Sequence, residues 1–75
     1  MATRRAKLAK LLAIEGYATS HDFAAAFVSD SVCPAICMSD DCDHTTALEP
    51  DQDQGWCEAC NAGTMTSGLL LMGLI

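Results

Sequence analysis

Five cysteines carry the most concentrated chemistry in this 75-residue chain. Four of them form two close pairs: Cys37 and Cys42 have four residues between them, Cys57 and Cys60 have two, and fourteen residues join the pairs. A tetrahedral metal ion takes four thiolates at about 2.3 Å, and a short gap lets the backbone turn so that both sulfurs of a pair face one centre. This is the spacing of paired zinc ligands. Asp40, Asp41, Asp43 and Glu58 lie among the same cysteines, and their charge opposes thiolate formation unless a cation is present. A bound dication removes that conflict. Four thiolates and one dication add −2 to a formal charge of −6, so the surroundings stay acidic and repel nucleic acid there.

The ligand set expected is Cys37, Cys42, Cys57 and Cys60, with alternatives left open. "CPAIC" offers Cys33 and Cys37 as another first pair that would release Cys42, and Cys33 otherwise reads as a small buried apolar residue. His44, two positions beyond Cys42, is a further candidate to replace one thiolate, while His21 reads as an exposed helix residue. Iron suits a four-thiolate cage as zinc does. "DQDQG" lacks the remaining ligands of a calcium loop and reads as a turn. "CEAC" as a redox pair lacks a surrounding βαβ pattern, and Glu58 would raise the nucleophile's pKa. Four thiolates leave no open coordination position for catalysis.

The N-terminal stretch begins with Arg4, Arg5 and Lys7, but Lys10 and Glu15 interrupt any apolar export core, so no signal peptide is expected. "LLLMGLI" at the end is much shorter than the roughly 20 residues of a bilayer span. The chain is therefore expected in the cytoplasm, where clustered cysteines serve as metal ligands rather than structural disulfides. An odd count of five agrees. A core of this length supplies no more than about 3 to 5 kcal/mol, which makes a metal staple physically reasonable.

The elements that must position the cysteines come in two halves. Thr3 to Glu15 is rich in helix formers, with Leu8, Leu11 and Leu12 on one stripe, Lys7 and Lys10 on its flank, and Gly16 at the stop. Thr19 and Asp22 propose a capped second helix from Ser20 to about Ser29. Residues 1–31 thus read as a helical hairpin. Its second helix has no Lys or Arg and makes a poor DNA reader. Pro34 closes the helical region. In 32–64, "DHTTALE" reads as a strand, "PDQDQG" as a turn and "GWCEAC" as the return, a β-hairpin that brings the pairs together. The apolar segment 65–75 is expected to be a short helix from about Thr66. The fold class expected is a small single-domain α+β protein.

The two cysteine pairs, with Trp56 beside the second and Asn61 after it, resemble the zinc ribbon family over about residues 33–64. The whole chain is also similar to small zinc-ribbon proteins of bacteria and their phages through its C-x4-C, "EPDQD" and "GWCE-x-C" arrangement. The resemblance implies a structural Zn2+ held by two turns and brings no activity with it.

A closed metal site performs no chemistry, so function is expected on a surface and the chain is read as non-enzymatic. All four basic residues, Arg4, Arg5, Lys7 and Lys10, lie in the first ten positions, and all ten acids lie from Glu15 onward. The leading expectation is a zinc-stabilised module that binds another protein through its acidic face, as an inhibitor or adaptor. One alternative is a nucleic-acid-binding regulator that places Arg4, Arg5, Lys7 and Lys10 on phosphates. Another is a thiol redox protein.

Overall fold

A computed structural model describes residues 3–73. Helix α1 (Arg4–Glu15) starts one residue later than expected, because Thr3 caps it: the Thr3 hydroxyl accepts from the Ala6 N–H, and Gly16 ends the helix at φ 82° with its N–H donating to the Leu12 carbonyl. A residue with a Cβ is disfavoured in that left-handed conformation, which is why glycine stands there. Tyr17 also donates its N–H to Leu12 at 2.9 Å. Helix α2 (Ser20–Phe27) is capped by Thr19, whose hydroxyl accepts from the Asp22 N–H. It ends two residues sooner than expected.

Four strands follow: β1 (Cys33–Cys37), β2 (Thr45–Leu48), β3 (Gly55–Cys57) and β4 (Ala62–Ser67), then a single helical turn, α3 (Gly68–Leu71). The expected class, small α+β with N-terminal helices, antiparallel strands and a short C-terminal helix, is observed. The strand pairing corrects the expected hairpin. The order is β2-β1-β4-β3, so β2 and β3 lie on opposite edges, and "PDQDQG" is a crossing rather than a hairpin turn. That crossing is tied to β4: the Ser67 N–H donates to the Gln52 carbonyl at 3.0 Å and the Thr66 hydroxyl to the Asp53 carbonyl at 3.2 Å. The Ser67 hydroxyl also reaches the Pro50 carbonyl and accepts from the Leu70 N–H.

β1 is a central strand although it contains Pro34, which read only as a helix breaker. The Cys37 N–H donates to the His44 carbonyl, so by the alternation of an antiparallel ladder Cys33, Ala35 and Cys37 turn their backbone groups toward β2. Pro34 then faces the β4 side, where pairing begins only at Ala35 opposite Ser67. Its missing N–H costs no ladder bond. The C-terminal segment also differs: strand continues to Ser67 because β1 pairs Ile36 with Thr66 and Ala35 with Ser67, and helix begins at Gly68 rather than Thr66. Leu74 and Ile75, the end of the expected apolar segment, lie outside the described residues.

The sheet has two unequal cores. On one side Leu11, Phe23, Ile36, Leu69 and Leu71 pack with Cys33, and Tyr17 and Phe27 set their rings edge-on or tilted against Phe23. On the other side Ala35, Met65, Cys37 and Cys57 are joined by Leu48, Cys42 and Cys60. The second core has few apolar side chains and most of the sulfur. Gly68 lets α3 approach the first core closely: a Cβ there would lie 2.5 Å from Phe23 Cζ and 3.0 Å from Leu11 Cδ2. Phe23 and Leu11 are fully buried and have nowhere to move. Gly68→Ala is expected to destabilise the fold by about 1–3 kcal/mol through overpacking, measured as a lower denaturation midpoint; an unchanged midpoint would contradict this packing.

Candidate metal centre

Two turns carry the four cysteines, and β4 brings the turns together. Cys37 ends β1 and pairs with Met65, while Cys57 ends β3 and pairs with Ala62, so both strand ends flank one strand. The first turn closes with the Cys42 N–H donating to the Ser39 carbonyl at 3.2 Å, and Met38 is anchored to the Thr64 carbonyl at 2.8 Å. The second turn closes with the Asn61 N–H donating to the Cys57 carbonyl at 2.7 Å. Asn61 adopts φ 54°, a left-handed conformation that asparagine tolerates better than other side chains do. This accounts for the small polar residue after the second pair.

The ligand atoms of Cys37, Cys42, Cys57 and Cys60 all lie within 4.8 Å of one another. The Cys37 and Cys60 sulfurs are 3.7 Å apart and those of Cys42 and Cys57 are 3.8 Å apart. A regular tetrahedron with metal–sulfur bonds of about 2.3 Å has sulfur–sulfur edges of about 3.8 Å, so these four can hold a divalent ion with little rearrangement. Cys33 is not in the group; it is buried among Leu11, Phe23 and Leu69 on the helix side of the sheet. The alternative sets containing Cys33 are thereby corrected. His44 also stays out of the group, contributing its carbonyl to Cys37, and His21 is exposed in the first turn of α2. Trp56 stands on the outer strand β3, 58% exposed.

Crowded thiols cannot all ionise alone. Burial pushes the Cys37 thiol up, but hydrogen bonds from the Thr64 hydroxyl, from Ser39 and from Cys42 outweigh it and bring the value from 9.0 down to about 6. The Thr64 oxygen lies 3.0 Å from the Cys37 sulfur. Cys60 is pushed up to about 12, first by Cys42 and then by Cys37, because its thiol donates to its neighbours rather than adding a charge. Cys42 is also raised: the His44 N–H and Cys60 favour its thiolate, but burial and the adjoining Cys37 and Cys57 prevail. Without a cation Cys37 is therefore favoured as a thiolate that its neighbours solvate, while Cys42 and Cys60 keep their protons.

A metal ion must displace the protons of at least Cys42 and Cys60 at neutral pH. Each proton released multiplies the apparent affinity by about ten per pH unit. Affinity is expected to rise at least about a hundredfold per unit between pH 6.5 and 7.5, read by competition with a chromophoric chelator. A pH-independent constant would mean that these thiols are not ligands.

Lys7 departs furthest from the place its sequence position suggests. Expected on the flank of α1, it is only 2% exposed. Its ammonium donates to the Ser39 and Cys42 carbonyls, both at 2.6 Å, and to Asp43 Oδ1 at 3.2 Å. It thus fills the concave side of the long first turn and places a positive charge beside the thiol cluster. The signal was available in the four-residue offset from Leu11, which puts both residues on one helical face. Lys10 donates to Asp43 Oδ2 at 2.9 Å, and Arg4 donates to the Leu70 carbonyl at 3.0 Å. Lys10 first and Lys7 next hold the Asp43 carboxyl below its ordinary value.

No family model, curated protein or solved structure matches the chain.

Proposed function

We propose that this chain is a non-enzymatic module, stapled by one structural Zn2+ in a zinc-ribbon-like arrangement of Cys37, Cys42, Cys57 and Cys60, that binds another protein. The observation carrying the protein partner is the commitment of the basic helix. Lys7 is buried, Lys10 is paired with Asp43, and Arg4 is bonded to α3. Of the expected phosphate-binding set Arg4, Arg5, Lys7 and Lys10, one member is removed from the surface and two have intramolecular acceptors. A chain of net charge −6 then presents a predominantly acidic exterior, which favours a basic protein surface over nucleic acid. Four thiolates close the coordination sphere, so the ion supports the fold and leaves recognition to the exterior.

The expected metal content is one zinc per chain, with no visible absorbance of the kind a four-thiolate iron site shows. Zinc-loaded chain used as bait in native lysate is expected to retain a discrete protein that a metal-free Cys57→Ser bait does not. Recovery of no protein above background would overturn this function. A low-salt electrophoretic shift abolished by joint Arg4→Ala and Arg5→Ala substitution would instead install the nucleic-acid reading.

A further inference from the structure

We propose that the outer edge of β2 and the groove beside it bind an extended peptide segment of a partner protein. The segment adds as a strand, seats one aliphatic side chain in the groove and brings a Lys or Arg to Glu15. This deepens, and rests on, the reading of the chain as a protein-binding module.

The backbone phase of β2 is the first support. Since the Cys37 N–H donates to the His44 carbonyl, His44, Thr46 and Leu48 turn their backbone groups toward β1, and Thr45 and Ala47 turn theirs outward. Among the described residues β2 pairs only with β1 and ends the sheet. Its outward N–H and C=O groups are therefore available to another strand. Edges in stable proteins are commonly defended by charge, proline or a bulge. The opposite edge has an irregularity between Gly55 and Trp56, whereas "TTAL" has none of these defences.

The groove is the second support. Helices α1 and α2 stop at Glu15 and Phe27, leaving a corner of the sheet uncovered. There Glu15, Phe27, Val32 and Pro34, with Thr45 and Ala47 of the edge strand, line an open groove of about 260 Å³. Val32 is 48% exposed. The volume takes an aliphatic side chain projecting from an added strand, because alternate residues of such a strand point to the helix side of the sheet. Charge selects the occupant. A second copy would bring Glu15 and Glu49 against the same groups, whereas a segment with a basic residue complements Glu15 and the net charge of −6.

The test is selection of peptides on zinc-loaded chain from a random library, followed by affinity measurement of the synthesised peptides by fluorescence anisotropy. Selected peptides are expected to combine an aliphatic residue with a nearby Lys or Arg and to slow amide exchange at Thr45 and Ala47. Ala47→Pro removes one outward donor, and Val32→Asp places a charge in the groove. Each is expected to weaken binding at least about tenfold at unchanged zinc content, while Trp56→Ala on the far edge leaves it unchanged. Val32 lies outside the strands, so its variant reads the groove even if Ala47→Pro fails to fold.

Equal affinity for the wild type and Val32→Asp, failure to select any peptide, or a dimer that forms through β2 would overturn the proposal. A lysate protein captured equally by wild-type and Val32→Asp baits would overturn this surface and leave the interaction module intact. A bait that captures no protein would overturn that module and this proposal with it.

Discussion

Addition of a strong chelator to the zinc-loaded chain at pH 7.5 is expected to unfold it. One side of the sheet is held by little besides Ala35, Met65, Leu48 and four cysteines. Burial alone gives a chain of this size about 3 to 5 kcal/mol, whereas four-ligand zinc binding contributes an apparent 10–16 kcal/mol. Withdrawing the ion leaves crowded thiols that cannot share the space as thiolates. The expected readout is collapse of amide dispersion and of the cooperative thermal transition, both restored by zinc. Cys37→Ser or Cys57→Ser should reproduce the metal-free state. Cys33→Ser should keep one zinc per chain and lose about 1–3 kcal/mol, because it puts a hydroxyl into the helix-side core. A metal-free chain that remains well ordered would refute the staple.

Lys7→Met is expected to lower zinc affinity by about 10- to 100-fold and to destabilise the loaded chain by roughly 3–5 kcal/mol. Methionine keeps much of the apolar stem but leaves the Ser39 and Cys42 carbonyls and Asp43 Oδ1 without the donor they share. Charge-assisted bonds contribute about 1.5–3 kcal/mol each, and the half-buried first turn loses two of them to carbonyls. The positive charge near the thiolates disappears as well. Lys10→Met is the informative contrast: its side chain is 56% exposed, and an exposed pair is worth no more than about 1 kcal/mol. Equal effects of the two substitutions would show that Lys7 acts only through net charge.

Acid should weaken the same region in two ways. Asp43 has a carboxyl held below its ordinary value of 3.8 by Lys10 and Lys7. Its contribution is complete above that value and is lost as pH falls through the lower folded value. In the metal-loaded chain, protonation of the thiolates is expected to release the ion at higher pH, so that metal loss precedes loss of the Asp43 contacts.

Much of the local structure was legible in the chain because its causes are local. Thr19 is a short hydroxyl side chain placed before a helix-forming run, and Gly16 is where a left-handed stop is cheapest. The first helix stops and the second one starts at those signals. The grouping of four cysteines was legible because the length of a turn limits where two sulfurs can point, and that constraint is independent of the rest of the fold.

Pairing and burial depended on contacts distant in sequence. The linker "PDQDQG" has the composition of a hairpin turn, but β1 and β4 take the centre of the sheet and push β2 and β3 to its edges. Pro34 breaks helices yet fits a central strand, since its nitrogen faces a position beyond the end of β4. Lys7 has the character of a surface residue and becomes buried only because the carbonyls of Ser39 and Cys42 converge on its ammonium. The caps, the helical stripe and the thiol spacing are written in the order of residues, since short-range sterics and hydrogen bonding specify them. Strand neighbours, the core cysteine and the buried lysine emerge only in the folded chain, because each depends on which distant groups satisfy the same polar atoms and fill the same space.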